Sequence, residues 1–135
     1  MPEPTDILCR ARELIVKPSA WTHLCDAVDP DGHPIDFLDS AAARWSDLGA
    51  IRLAAHRIAG RGAPSGPTWT AIMAAEAHLE TGYETIDAVL GPARDPTDPR
   101  DAYLAALHAL EIAIRDAYDS DERPISCRVL FRQEA

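Results

Sequence analysis

The sequence predicts an α+β fold, mainly α: four to five helices with a small antiparallel β-hairpin, in a single domain over residues 1–135. Three observations carry this prediction. The hydrophobic fraction is 47% but aromatics are only 6%, and much of the remainder is alanine, which favours helix. Apolar residues recur at helical spacing in four stretches. Two other stretches alternate with a period of two, one around a turn and one near the C-terminal end. A chain of 135 residues is the size of one domain and can bury a core without disulfides or metal.

Residues 6–17 read as a first helix. Ile7, Leu8, Ala11, Leu14 and Ile15 share a face, Thr5 is placed to cap the start, and Pro18 ends it. Over residues 20–38, Trp21, His23, Cys25 and Ala27 alternate with their neighbours, and Asp29-Pro30-Asp31-Gly32 has the residue order of a tight turn. A hairpin is expected there, with Pro34 on an edge. Residues 40–59 read as a helix capped by Asp39 or Ser40, with Trp45, Leu48, Ile51, Ala55 and Ile58 on one stripe and Gly60-Arg61-Gly62 as the stop. From Thr68 to Leu90 one stripe runs without a phase break, so this is one long helix or two divided at Gly82. Gly91-Pro92 closes it, and residues 91–99 form a loop. Arg100 to Asp119 is the next helix. After Pro124, the alternation of Ile125, Cys127, Val129 and Phe131 is a strand signal and a candidate third strand beside the hairpin.

The formal net charge is −9, and residues 76–122 account for it, with twelve acids against Arg94, Arg100 and Arg115. Such a surface repels phosphate backbones, so direct nucleic-acid binding is not expected; it suits a basic partner, imitation of nucleic acid, or simply a solvated face that keeps the chain soluble. No apolar run approaches the ~20 residues of a bilayer span, so no membrane association is expected. Met1 to Asp6 carries no lysine or arginine and does not read as a signal peptide. Three cysteines with no repeated spacing fit a cytoplasmic protein with reduced thiols.

The aspartates Asp26, Asp29, Asp31, Asp36 and Asp39 suggest calcium, but with Gly32 at the sixth loop position the first and twelfth ligands would be Ala27 and Leu38, which cannot coordinate. Turn and cap roles account for Asp29, Asp31 and Asp39. Cys25 and His33 would face each other across the hairpin, yet no second pair of zinc ligands succeeds them. His108 and Glu111 lie three apart on a helix, with Glu76, Glu80 and His78 on the helix before. They form a candidate metal cluster if they converge. Otherwise Glu111 pairs with Arg115 one turn on. No nucleophile elbow, phosphate-binding glycine loop or dinucleotide fingerprint occurs, and no cofactor is expected.

The stretch Asp29-Pro30-Asp31-Gly32-His33-Pro34-Ile35-Asp36-Phe37-Leu38-Asp39, continued by Ala43-Arg44-Trp45-Ser46-Asp47-Leu48-Gly49-Ala50, resembles a domain family of unknown function found in small bacterial and phage proteins. Those proteins carry a helix ending near a tryptophan (here Trp21), a D-x-D-G-x-x-x-D-x-x-D segment and an A-x-R-W-x-x-x-G-A helix. The resemblance covers about residues 8–55 and implies a phage or mobile-element origin. Physically, Arg44 is placed to reach Asp36 or Asp39 and clasp hairpin to helix, and Gly49 to admit another element closely.

Three functional readings result. The leading one is a non-enzymatic protein-interaction domain, acidic over residues 76–122. The alternative is a metal-binding domain or metal-dependent enzyme using His108, Glu111 and Glu76. The third is a homodimer in which alanine-rich stripes pack between chains.

Overall fold

A computed structural model describes residues 3–23, 25–60, 66–90 and 98–119. Its regular elements are α1 (Pro4–Ile15), β1 (Ala27–Val28), β2 (Arg44–Trp45), α2 (Asp47–Ala59), α3 (Gly66–Leu90) and α4 (Pro99–Asp119), with a short 3₁₀ turn at Pro18–Ala20. The fold is therefore α+β and mainly α, with four helices and a two-stranded antiparallel sheet among the described residues.

The helices pack because each presents a stripe of small and branched apolar residues. Ile7, Leu8 and Ile15 from α1, Ile51 from α2, Ile72 from α3 and Leu110 from α4 are fully buried together. Burying each contributes about 1.5–3 kcal/mol. α3 and α4 share the largest helix interface. Its closeness has a local cause: a Cβ on Gly82 would lie 2.3 Å from the Ala109 carbonyl oxygen. Gly82 is thus the contact that lets two backbones meet, and α3 runs through it as one helix. Ala105, Ala106, Ala109, Ala113 and Ala117 are buried inside the chain.

Two helix starts and one strand pairing differ from the sequence reading. α1 starts at Pro4, with proline in the first turn, and Thr5 is buried rather than capping. The turn at Asp29–Gly32 forms as expected, with Gly32 N–H donating to the Asp29 carbonyl at 3.0 Å and Gly32 at φ +87°. Asp29 N–H reaches His33 O, and Ile35 N–H reaches Ala27 O, so the chain does fold back briefly. The ladder partner of β1 is nevertheless β2, in the register Ala27 to Trp45 and Val28 to Arg44. The helix expected from residue 40 starts only at Asp47, and Trp45 belongs to a strand.

The reason is the side chains of Asp36 and Asp39. Asp36 Oδ1 accepts from Leu38 N–H at 2.8 Å, and Asp39 Oδ1 accepts from Ala41 N–H at 2.9 Å. These local bonds hold residues 36–42 in successive turns and compete with helix. Ser46 becomes the helix cap instead, its Oγ accepting from Gly49 N–H at 3.1 Å. The helix stop at Gly60 is as expected, with φ +86°. The candidate third strand around Ile125 to Phe131 lies outside the described residues.

Candidate functional site

The motif residues gather where the β1–β2 sheet meets the start of α2. Trp21 forms a bridge to Trp45, and Thr22 N–H donates to Trp45 O at 3.1 Å. The Trp21 ring stacks on His23 with centroids 5.6 Å apart and meets Tyr103 of α4 edge-on at 5.5 Å. Tyr103 Oη donates to Val16 O at 2.5 Å. Burial pushes its phenol above the usual tyrosine value, with the Arg12 charge opposing, so it stays a donor. Trp45 Nε1 donates to Phe37 O at 3.4 Å.

Asp29 accepts from His33 N–H at 2.9 Å and from Asp31 N–H at 3.0 Å through one oxygen, and its other oxygen lies 3.5 Å from His33 Nδ1. The His33 N–H holds its carboxyl below the usual 3.8; partial desolvation opposes, and the Asp31 N–H and the His33 ring add to the lowering. With the folded value below the unfolded one, the turn's gain is present above the unfolded value. It is lost as pH falls through the folded one. Asp29, Asp31 and His33 are the one group of three metal-ligating side chains among the described residues. It is exposed, and the turn already accounts for Asp29.

The clasp predicted for Arg44 is made by a different residue. Arg44 is exposed and has no ion pair with Asp36 or Asp39 among the described residues. Arg52 of α2 holds instead, with Nη1 2.8 Å from Asp26 Oδ2 and Nε 3.3 Å from Glu76 Oε1. It ties the start of β1 to α2 and α3 at once. Gly49 completes this joint: a Cβ there would lie 1.9 Å from the Asp26 carbonyl oxygen, so only glycine admits the loop. Sequence reasoning missed Arg52 because its partners lie 24 and 26 residues away.

The expected metal cluster is not assembled. His108 is exposed, Glu111 pairs with Arg12 at 2.8 Å, and Glu76 pairs with Arg52; among the described residues no group of three includes any of them. Glu111 bonds to α1 across the core edge rather than to Arg115. His78 bonds to Asp116 at 2.6 Å, joining α3 to α4. Each helix-borne acid expected as a ligand therefore serves as an interhelical tie, apart from Glu80.

Two grooves flank Trp21 and His23. One, of about 540 Å³, lies between the start of α2 and the middle of α3 and includes Asp47, Leu48, Glu76, Glu80 and Tyr83. Asp47 Oδ2 accepts from Tyr83 Oη across it. Glu80 is exposed and has no ion pair among the described residues. The other groove, of about 600 Å³, includes Arg44, Arg100, Tyr103 and Leu104. Trp21, Thr22 and His23 line both. On α3, exposed Trp69, Met73, Glu80, Glu84 and Asp87 recur at spacings that put them on one face. No helix among the described residues is long and apolar enough to cross a membrane. No family model matches this chain, no curated protein matches it, and no solved structure matches it.

Proposed function

We propose that the chain is a non-enzymatic protein-interaction domain that docks a basic segment of its partner. The observation that carries this reading is the groove between α2 and α3, which Asp47, Glu76 and Glu80 line together with Trp21 and Tyr83. Arg52 is shared between Asp26 and Glu76, so the two acids outnumber the one cation beside them. Glu80 adds an unneutralised charge, and the exposed face of α3 extends the acidic surface through Glu84 and Asp87. Trp69 and Met73, exposed by 50% and 68%, continue that face as an apolar end. An amphipathic basic segment matches both halves: charge for the acids and apolar side chains for Trp69 and Met73. The concentration of the net charge of −9 in residues 76–122, which include Glu76 and Glu80, steers such a segment toward the groove. The resemblance to small bacterial and phage proteins favours a phage or mobile-element origin for the domain, and the three cysteines without repeated spacing favour a cytoplasmic setting for the encounter.

The test uses a fluorescein-labelled lysine–leucine peptide and anisotropy at rising salt. Binding is expected at low salt, weakening as salt rises. Glu80→Lys is expected to weaken it several-fold while the far-ultraviolet spectrum is unchanged. No binding at low salt, or equal binding by Glu80→Lys, overturns the reading.

A further inference from the structure

We propose that the partner segment is two-signed, its basic residues lying against Glu80 and Asp47 and an adjacent acidic residue being taken by Arg44 and Arg100 beyond Trp21. The inference rests on the reading of the acidic groove as a docking site and adds the chemistry of the residues next to the basic ones.

The second groove is opposite in character to the first. Arg44 comes from β2 and Arg100 from the first turn of α4, so tertiary structure brings them to one cavity. Both are exposed, and neither has a carboxylate partner among the described residues. Arg12 and Arg52, by contrast, are held in ion pairs, Arg12 by Glu111 and Arg52 by Asp26 and Glu76. Two unneutralised guanidiniums on one groove are a place where a carboxylate gains paired, charge-assisted hydrogen bonds. The N–H groups at the start of α4 are not the recognition element, because Asp98 Oδ1 already accepts from Arg100 N–H at 2.9 Å.

The same groove is also lined by Trp21, Tyr103 and Leu104. Trp21 and Tyr103 meet edge-on, and Leu104 is 47% exposed. An apolar side chain beside the acidic residue has a surface to cover there. The two grooves adjoin, since the Trp21, Thr22 and His23 segment lines both. A single extended segment passing over those residues meets negative charge on one side and positive charge on the other. Opposite signs on the two sides fix the direction in which the segment lies, a specificity that a uniformly acidic face lacks.

Three labelled peptides decide the matter: lysines with leucine alone, lysines then leucine then glutamates, and the reverse order. One of the two mixed peptides is expected to bind about tenfold more tightly than the lysine–leucine peptide. The Arg44→Ala, Arg100→Ala double variant is expected to erase that gain and to leave binding of the lysine–leucine peptide undiminished. Both arginines are exposed, so the double variant folds, and circular dichroism verifies it. Mixed peptides that bind no better than the lysine–leucine peptide, or a gain that survives in the double variant, overturn this inference while the acidic groove stands. Failure of the lysine–leucine peptide itself removes the docking reading underneath.

Discussion

Two glycines show how much of the molecule depends on what a single position lacks. At Gly49 an added Cβ meets the Asp26 carbonyl oxygen at 1.9 Å, and at Gly82 it meets the Ala109 carbonyl oxygen at 2.3 Å. In both places the obstacle is backbone, which cannot swing aside. Alanine would gain up to ~1 kcal/mol of helix propensity at either site, yet overpacking costs ~1–3 kcal/mol and dominates. Gly49→Ala and Gly82→Ala are therefore expected to be destabilising by about 1–2 kcal/mol net, read from urea midpoints, with Gly49→Ala the worse. Arg44→Ala is expected to stay within ~0.5 kcal/mol of the parent, because its side chain is exposed and has no ion pair among the described residues. A melt in which Arg44→Ala is the more damaging variant would restore the clasp that the sequence suggested. The role of Gly49 as a point of close approach was legible from the sequence. The identity of the clasp was not, since Arg52 and Asp26 look like any surface pair until the chain is folded.

At the level of elements, legibility tracked how local the deciding interaction is. The turn at Asp29–Gly32, the stop at Gly60 and the stripe of α3 are set by nearest neighbours in sequence and were readable; α4 was placed, but its buried face runs through Ala102, Ala105, Ala109 and Ala113 rather than through Tyr103, Leu104 and Leu107, the large apolar residues that suggested the face. The start of α2 was misplaced by seven residues, from 40 to 47. The periodic stripe through Trp45 argued for helix there, but the side-chain bonds of Asp36 and Asp39 hold residues 36–42 in turns, and Trp45 pairs with Ala27 in the sheet. The cap then falls to Ser46, which is buried and whose Oγ receives the Gly49 N–H. Removing it leaves that amide without its acceptor. Ser46→Ala is expected to lower stability by ~1 kcal/mol, and Ser46→Asp to restore most of it by accepting the same bond with a charge that suits a helix start. Chemical denaturation of the three proteins settles it. Equal stability of Ser46→Ala and the parent would mean that the β1–β2 pairing, not the cap, fixes where α2 begins.

Across the whole molecule, acidic side chains divide into two populations that composition alone could not separate. Glu76, Glu111 and Asp116 are spent on ties between elements, to Arg52, Arg12 and His78. Glu80 and Glu84 stay exposed and unpaired among the described residues on one face of α3. Glu80 has like-charged neighbours one turn away on both sides, Glu76 and Glu84, and each such pair is unfavourable by ~0.2–0.5 kcal/mol. Glu80→Lys turns both repulsions into attractions and moves the net charge from −9 to −7, since each such change adds two. The variant is thus expected to be more stable than the parent by up to ~1 kcal/mol at low salt, a rise of ~2–4 °C in melting temperature, with the difference fading as salt rises. The same substitution reverses the charge facing the α2–α3 groove and is expected to weaken binding of the lysine–leucine peptide. Gain in stability together with loss of binding separates a residue kept for docking from one kept for folding, because a structural glutamate would lose both. A thermal melt across a salt series, run beside the anisotropy titration, reads the two together. A Glu80→Lys protein that melts lower than the parent at low salt would place Glu80 among the ties that hold the helices.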